Sequence, residues 1–220
     1  MQFDLSQIPS QIAYKLMTST VTPRPIAWVT SMSEAGVVNA APYSFFNVMG
    51  SEPPTVVIGL LKDPKKGFKD TAENILTTGE FVINLVTENV AEKMNVTSID
   101  APRDIDELTC AGLTERPSQF VKPPQIAESP VSFECVNHAS MVTGPHQTLV
   151  VGRVLGIRID DEYVMDAEKG YVDTPAIHTI GRMHGSGWYT RTGDTFQLDR
   201  PTWADWPHKD GLKKDGREKD

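Results

Sequence analysis

Lys69, Asp70 and Thr71 set a cation, an anion and a hydroxyl side by side, just ahead of the helix-like run AENILTTGEF. A helix N-terminus offers free N–H groups and partial positive charge, which suit a phosphate. Lys69 adds a full charge and Thr71 a hydroxyl. Asp70 works against this, because a carboxylate can cap the same N–H groups. A plain capped helix is therefore the simpler reading of this motif alone. Asn74 lies one turn on and can share the face of Asp70 or Thr71. Thr30 and Ser31 close the apolar run PIAWV just before a turn. Hydroxyls there suit a polar ligand chain, or simply the turn, which Ser and Thr favour.

NAAPYSFF, residues 39–46, carries a different chemistry. Around Asn39, the short side chains of Ala40, Ala41 and Pro42 allow a flat ligand to approach the main chain. Ser44 follows, and Phe45 or Phe46 provides an apolar wall. Adjacent phenylalanines point to opposite faces of a strand. Both faces must then be covered, by a ligand, by a subunit interface, or by both. His146, at the tip of the GPHQ turn, can supply a proton or touch a ligand. Arg182, in IGRMHGSGWY, has the fork that suits phosphate or carboxylate, although the glycines around it equally mark tight turns. No GxxxxGK[ST], GxGxxG-after-strand or GxSxG pattern occurs. The remaining histidines, His138, His178, His184 and His208, lack metal-ligand spacing.

The elements that must position these residues are mostly short strands, because β-branched residues crowd between dispersed prolines and glycines. Residues 25–32 read as a strand, 33–36 as a turn, and 37–46 as one strand pairing back in a hairpin. Residues 54–61 read as a central strand, apolar on both faces. A helix is expected from Asp70 as N-cap to Gly79, then a strand over 81–86 and a short helix over 88–97. Residues 98–130 read as an irregular surface excursion with one helical turn. Residues 131–142 and 148–160 form a long hairpin, DEYVMD a final piece of strand, and the glycine-rich segment after it should fold over something. Strands first, a helix inserted, then more strands suggest a closed β-barrel instead of alternating βαβ units.

The chain has 220 residues, enough for a sizeable core. Its 21 Lys and Arg against 29 Asp and Glu leave a net charge of −8. That balance argues against nucleic acid and against an anionic membrane surface as partners. The N-terminus lacks a signal-peptide pattern and no apolar run approaches the ~18 residues of a membrane span. Cys110 and Cys135 read as two free thiols, so a cytoplasmic location is expected. Residues 1–206 are expected to form one domain, and 207–220, nearly all charged or polar, a solvated tail.

In order along the chain, RPIAWVTS, NAAPYSFFNV, EPPTVVIGL, KDTAENI and GEFVINLV resemble the flavin reductase-like family of FMN-binding split barrels, the flavoredoxin-type group. SPVSFECV, GPHQTLVVGRVLGI and IGRMHGSGWY extend the match over roughly residues 10–190. The resemblance implies a mainly β fold: a six-stranded antiparallel Greek-key split barrel with short helical excursions, as a homodimer. It implies FMN, with FAD as the alternative flavin, in a groove near the dimer interface. By similarity, Thr30 and Ser31 hold the ribityl and phosphate end. Asn39, Ala40, Ala41, Pro42, Ser44, Phe45 and Phe46 line the ring. Lys69, Asp70, Thr71 and Asn74 close over the phosphate side, and Arg182 joins them. His146 stands on the nicotinamide side. The implied activity is hydride transfer from NADH or NADPH to the flavin, with electrons passed to a partner oxygenase or another acceptor. The alternatives are a tight FMN carrier with little reductase activity of its own, a pyridoxamine-phosphate-oxidase-like split barrel, and a dimeric binding module that has lost its ligand. The segment TFQLDRPTWADWP is expected to cover either the flavin face or the dimer seam.

Overall fold

The computed structural model describes residues 1–63 and 67–203. The expected tail at 207–220 lies outside them. The chain opens with α1 (Ser10–Thr20), then β1 (Ala27–Met32), β2 (Val38–Tyr43), β3 (Phe46–Ser51), β4 (Pro54–Asp63) and β5 (Gly67–Phe68). Next come α2 (Asp70–Thr78), β6 (Glu80–Leu85), α3 (Ala91–Val96), α4 (Glu107–Ala111), β7 (Glu115–Arg116) and β8 (Gln125–Ile126). The long strands β9 (Val131–Gly144) and β10 (Gln147–Ile159) follow, then the short pairs β11 (Val164–Asp166) with β12 (Tyr171–Val172) and β13 (Ile180–Arg182) with β14 (Tyr189–Arg191).

The main sheet runs β2-β1-β6-β9-β10-β4-β3, with β5 against β4, and every pairing in it is antiparallel. The mainly β, antiparallel class expected from sequence holds, with one strand more along this path than the six expected. The strands β2 and β3 end the path on opposite sides, yet only Ser44 and Phe45 separate them in the chain. Three Cα steps reach at most about 11 Å. The two ends of the sheet must therefore meet, and the sheet must curl into a barrel. The single strand expected over 37–46 is corrected here: it breaks at Ser44 and Phe45 and changes partner, β2 pairing with β1 and β3 with β4.

The barrel interior is apolar. Ala27, Val29, Val56, Ile58, Leu60, Phe81, Ile83, Cys135 and Val150 fill it, with Ala72 and Ile75 of α2 closing one side. A second cluster lies on the other face of β1 and β2, where Trp28, Val38 and Ala40 meet Met94 of α3, Leu108 of α4 and Ile126 of β8. This explains why those strands carry apolar residues on both faces. It also revises the reading of 98–130 as a surface excursion: the segment is a cover with a buried underside. Trp28 Nε1 donates to Thr97 Oγ1 at 2.9 Å, and Ile126 N donates to Asn84 Oδ1 at 3.0 Å, which fastens the cover down. Buried Glu134 accepts from Gln119 N and from Gln125 Nε2, at 3.0 and 2.7 Å, on the same segment.

Two further points differ from expectation. The N-cap of α2 is Lys69, and Asp70 is the first helical residue; Gly79 ends the helix in the left-handed region at φ 76° as anticipated. Helix α1 was not foreseen. Its only buried residue is Thr18, so it has no strong apolar face to reveal it.

Candidate functional site

Two cavities adjoin where Pro42, Tyr43, Lys69 and Ser98 line both. The first, of about 380 Å³, is walled by the end of β2, the start of α2 and residues 97–103 of the cover. The second, of about 560 Å³, is bounded by Tyr14 of α1, Phe45, Gly59 of β4, and Arg182 and Tyr189 of the β13–β14 hairpin. Both volumes fall in the range of small-molecule sites, about 300–1,000 Å³.

A buried polar network backs the first cavity. Asn74 Nδ2 donates to Ser31 Oγ at 3.1 Å, and Ser31 Oγ donates to Asn39 Oδ1 at 3.3 Å. Thr71 Oγ1 donates to the same Asn39 oxygen at 2.6 Å. Asn39 Nδ2 and the Ala40 N–H both donate to Glu107 Oε2, at 3.1 and 3.0 Å. Four elements are thus locked together: β1, β2, α2 and α4. Burial raises the Glu107 pKa, opposed by the Ala40 N–H. Burial also pushes the Tyr43 phenol up to about 12, so it stays protonated as a donor at the cavity junction.

At the start of α2, Arg103 from the cover donates to Asp70 Oδ1 at 3.0 Å and to Glu73 Oε2 at 2.5 Å. This engages the anion whose capping role stood against a phosphate at this helix end. Lys69 is exposed, makes no ion pair among the described residues, and lines both cavities.

The second cavity is aromatic on one wall. The Phe45 ring lies 6.0 Å from that of Tyr14, centroid to centroid. The neighbouring Phe46 turns the other way and packs on the barrel core, so only one of the two phenylalanines is free to meet a ligand. Gly59 keeps the cavity floor open. A Cβ there would sit 3.0 Å from Phe45 Cβ and 3.4 Å from Gln147 Nε2. Arg24 stitches this region together: its buried guanidinium donates to Thr18 O at 2.5 Å, Val21 O at 3.0 Å and Met183 O at 3.0 Å. Its Nε reaches Ser44 Oγ at 3.4 Å.

The structure brings Asn39, Ala41, Pro42, Ser44, Phe45, Lys69, Asp70, Thr71 and Arg182 to the walls of these cavities. Thr30, Ser31, Ala40, Phe46 and Asn74 lie behind the walls; Thr30 Oγ1 is spent on Pro124 O. His146 is exposed and lines neither cavity; its carbonyl accepts from Lys62 N at 2.8 Å, beside the Gln147 that faces Gly59. Sequence reasoning missed Tyr14, Tyr43, Ser98, Arg103, Glu107 and Tyr189. Tyr43 was legible, since it sits inside NAAPYSFF. The described part of the Trp- and Pro-rich C-terminal segment runs to Trp203 without strand or helix, and its Phe196, Leu198 and Trp203 are exposed. Among the described residues no His, Cys, Asp or Glu cluster could hold a metal, and no helix is long and apolar enough to cross a membrane.

A closed antiparallel barrel carrying an aromatic cavity beside a polar, hydroxyl-lined one defines a ligand-binding split barrel. Residues 17–180 match the model of the flavin reductase like domain, and the chain belongs to that family. An uncharacterised protein of Deinococcus radiodurans is 41% identical over 218 residues, covering 97% of this chain and 96% of its own length. Nitrilotriacetate monooxygenase component B from Bacillus cereus superposes with a TM-score of 0.84 at 30% identity, covering 90% of this chain and 98% of that one. The 2-nitrobenzoate 2-nitroreductase NbaA of Pseudomonas fluorescens gives 0.83 at 34% identity, covering 92% and 98%. Family membership carries a flavin-linked redox role.

Proposed function

We propose that the protein is an NAD(P)H-dependent oxidoreductase that holds FMN across the two cavities. The observation that carries this reading is their junction at Tyr43 and Lys69, with hydroxyls and a helix start on one side and an aromatic wall on the other. The donor set fits an FMN-like ligand. Lys69, Thr71 and Ser98 would hold the phosphate end, with Asp70 engaged by Arg103. Pro42, Ser44 and Phe45 would line the ring, and the gap left by Gly59 gives it room. Ser31, Ala40 and Asn74 act through the network behind the wall, as positioning residues, and Thr30 ties β1 to the cover through Pro124 O. His146 would serve only at the rim.

Bound flavin would supply the redox chemistry, with NADH or NADPH as the hydride donor. The chain's own task is to bind, orient and exclude water. In the low dielectric of the aromatic cavity, hydrogen bonds from the main chain and from the Tyr43 hydroxyl gain strength. A partner oxygenase is a fitting acceptor, given the monooxygenase component among the similar structures. The unpaired thiols of Cys110 and Cys135 support a cytoplasmic setting.

Homodimerisation belongs to the same reading. Met141 of β9 pairs with Leu149 of β10, and Leu149 with Gly59 of β4. This row runs across the outer face of the sheet from exposed Met141 straight to the aromatic cavity. A second copy on that face would cover the apolar row and wall the ring side.

The test is the absorbance spectrum of purified protein with added FMN, followed by anaerobic titration with NADH and with NADPH. Bleaching of the flavin band at one equivalent of reduced nucleotide is expected. Tight FMN that neither nucleotide bleaches would leave a carrier in place of a reductase.

A further inference from the structure

The second cavity has a charge pattern at odds with the chain as a whole. Among the described residues its walls hold two cations, Lys69 and Arg182, and no carboxylate, in a protein of net charge −8. Lys69 reaches both cavities, but Arg182 lines only the second. An arginine meant for the phosphate near Lys69 and Thr71 should face the first.

Arg182 is also prepared and uncommitted. Its main chain is clamped to Arg24 from both sides, Arg24 N donating to Arg182 O at 3.0 Å and Arg182 N to Arg24 O at 2.8 Å. Its guanidinium lies over the Tyr189 ring, 4.8 Å from the centroid, and donates to Gly185 O at 3.2 Å. It makes no ion pair among the described residues, which leaves most of its five N–H donors free. A stacked, preorganised guanidinium beside an aromatic cavity suits a planar ligand with an anionic oxygen group, which it can grip with two parallel hydrogen bonds.

We propose that Arg182 anchors the anionic group of the second ligand, the planar molecule that shares the aromatic cavity with the flavin. This rests on the flavin reading above. Two sources share the chemistry: the phosphate of a nicotinamide nucleotide and the carboxylate of an aromatic acid.

The experiment uses FMN-loaded full-length protein, wild type against Arg182→Gln and Arg182→Lys. Benzoate, a non-reacting planar anion, is titrated while the flavin absorbance is followed. FMN and riboflavin affinities and the KM for NADH and NADPH are measured in parallel. Benzoate should perturb the wild-type spectrum and bind about tenfold or more weakly to Arg182→Gln, with FMN affinity unchanged. Arg182→Lys should recover only part of the loss, because it keeps the charge without the fork. A rise in the KM of both nucleotides identifies a phosphate common to them, and a rise for NADPH alone its extra phosphate. Benzoate loss with both KM values unchanged identifies an aromatic acid. Benzoate affinity and KM values all unmoved by Arg182→Gln overturn the proposal. So does FMN weakening while riboflavin does not, which would hand Arg182 to the flavin phosphate. Wild-type protein that takes up no flavin sinks the flavin reading as well, whereas flavin bound with no anion effect sinks this proposal alone.

Discussion

Lys69 is the residue on which the phosphate assignment turns. It is exposed, unpaired among the described residues, and stands where the two cavities join. Its replacement by alanine should remove one charge-assisted bond, worth roughly 1.5–3 kcal/mol. FMN affinity should fall about tenfold or more, while riboflavin, which lacks the phosphate, should bind nearly as before. Titration of both ligands by fluorescence quenching checks this, and equal weakening of the two would count against the assignment. Much of this scale was legible in the sequence. The KDT and NAAPYSFF motifs carry their chemistry in residue types that stay local, so Lys69, Thr71, Pro42 and Phe45 could be picked out directly. Arg103 and Glu107 could not. Their partners, Asp70 and Ala40, are far away in the chain, and only the folded cover brings them together.

At the scale of elements, Glu107 is the rivet between α4 and β2. One oxygen accepts both the Ala40 N–H and the Asn39 amide, and burial raises its pKa above the ordinary 4.5. The folded protein therefore holds this proton more tightly than the unfolded chain does. The contribution favours folding in acid and is lost as pH rises from about 4.5 through the raised folded value. In Glu107→Gln the amide oxygen can accept the same two donors with no charge to bury. Relative to wild type, the variant should gain thermal stability as pH rises above about 4.5, read as a widening difference in Tm until the carboxyl is fully ionised. A difference that narrows with pH would mean the carboxylate is stabilised in place. The long hairpin of β9 and β10, the α2 helix and its glycine stop were readable because periodicity and caps are local signals. The partner change at Ser44 and Phe45 was not, since a strand's sequence says it is extended without saying which neighbour it pairs with. Helix α1 was missed for the converse reason: it packs only lightly on the rest.

At the scale of the molecule, the apolar row from Met141 to Gly59 is the face on which the proposed second copy would dock. Met141 is 58% exposed, so a charge there should cost the monomer little. In a dimer across this face, Met141→Glu would bury an unpaired carboxylate. Sedimentation should then show dimeric wild type and a largely monomeric variant, with flavin affinity reduced alongside. A variant as dimeric as wild type would place the interface elsewhere. The overall class was legible because a barrel of short strands leaves its mark on composition and order. The row on which a second copy is proposed to dock was not, since which strand residues share a row is unknown until the register is.

The junction at Ser44 and Phe45 has a bearing on biosynthesis. β2 and β3 are neighbours in the chain but stand at opposite ends of the sheet order, so the barrel cannot close until β9 and β10 lie between them. Phe45 and Gly59, which shape the aromatic cavity, are translated early and wait for partners translated late. If the proposed site holds the flavin, a nascent chain still short of β10 lacks the barrel that shapes it and should take up flavin only once β10 has emerged.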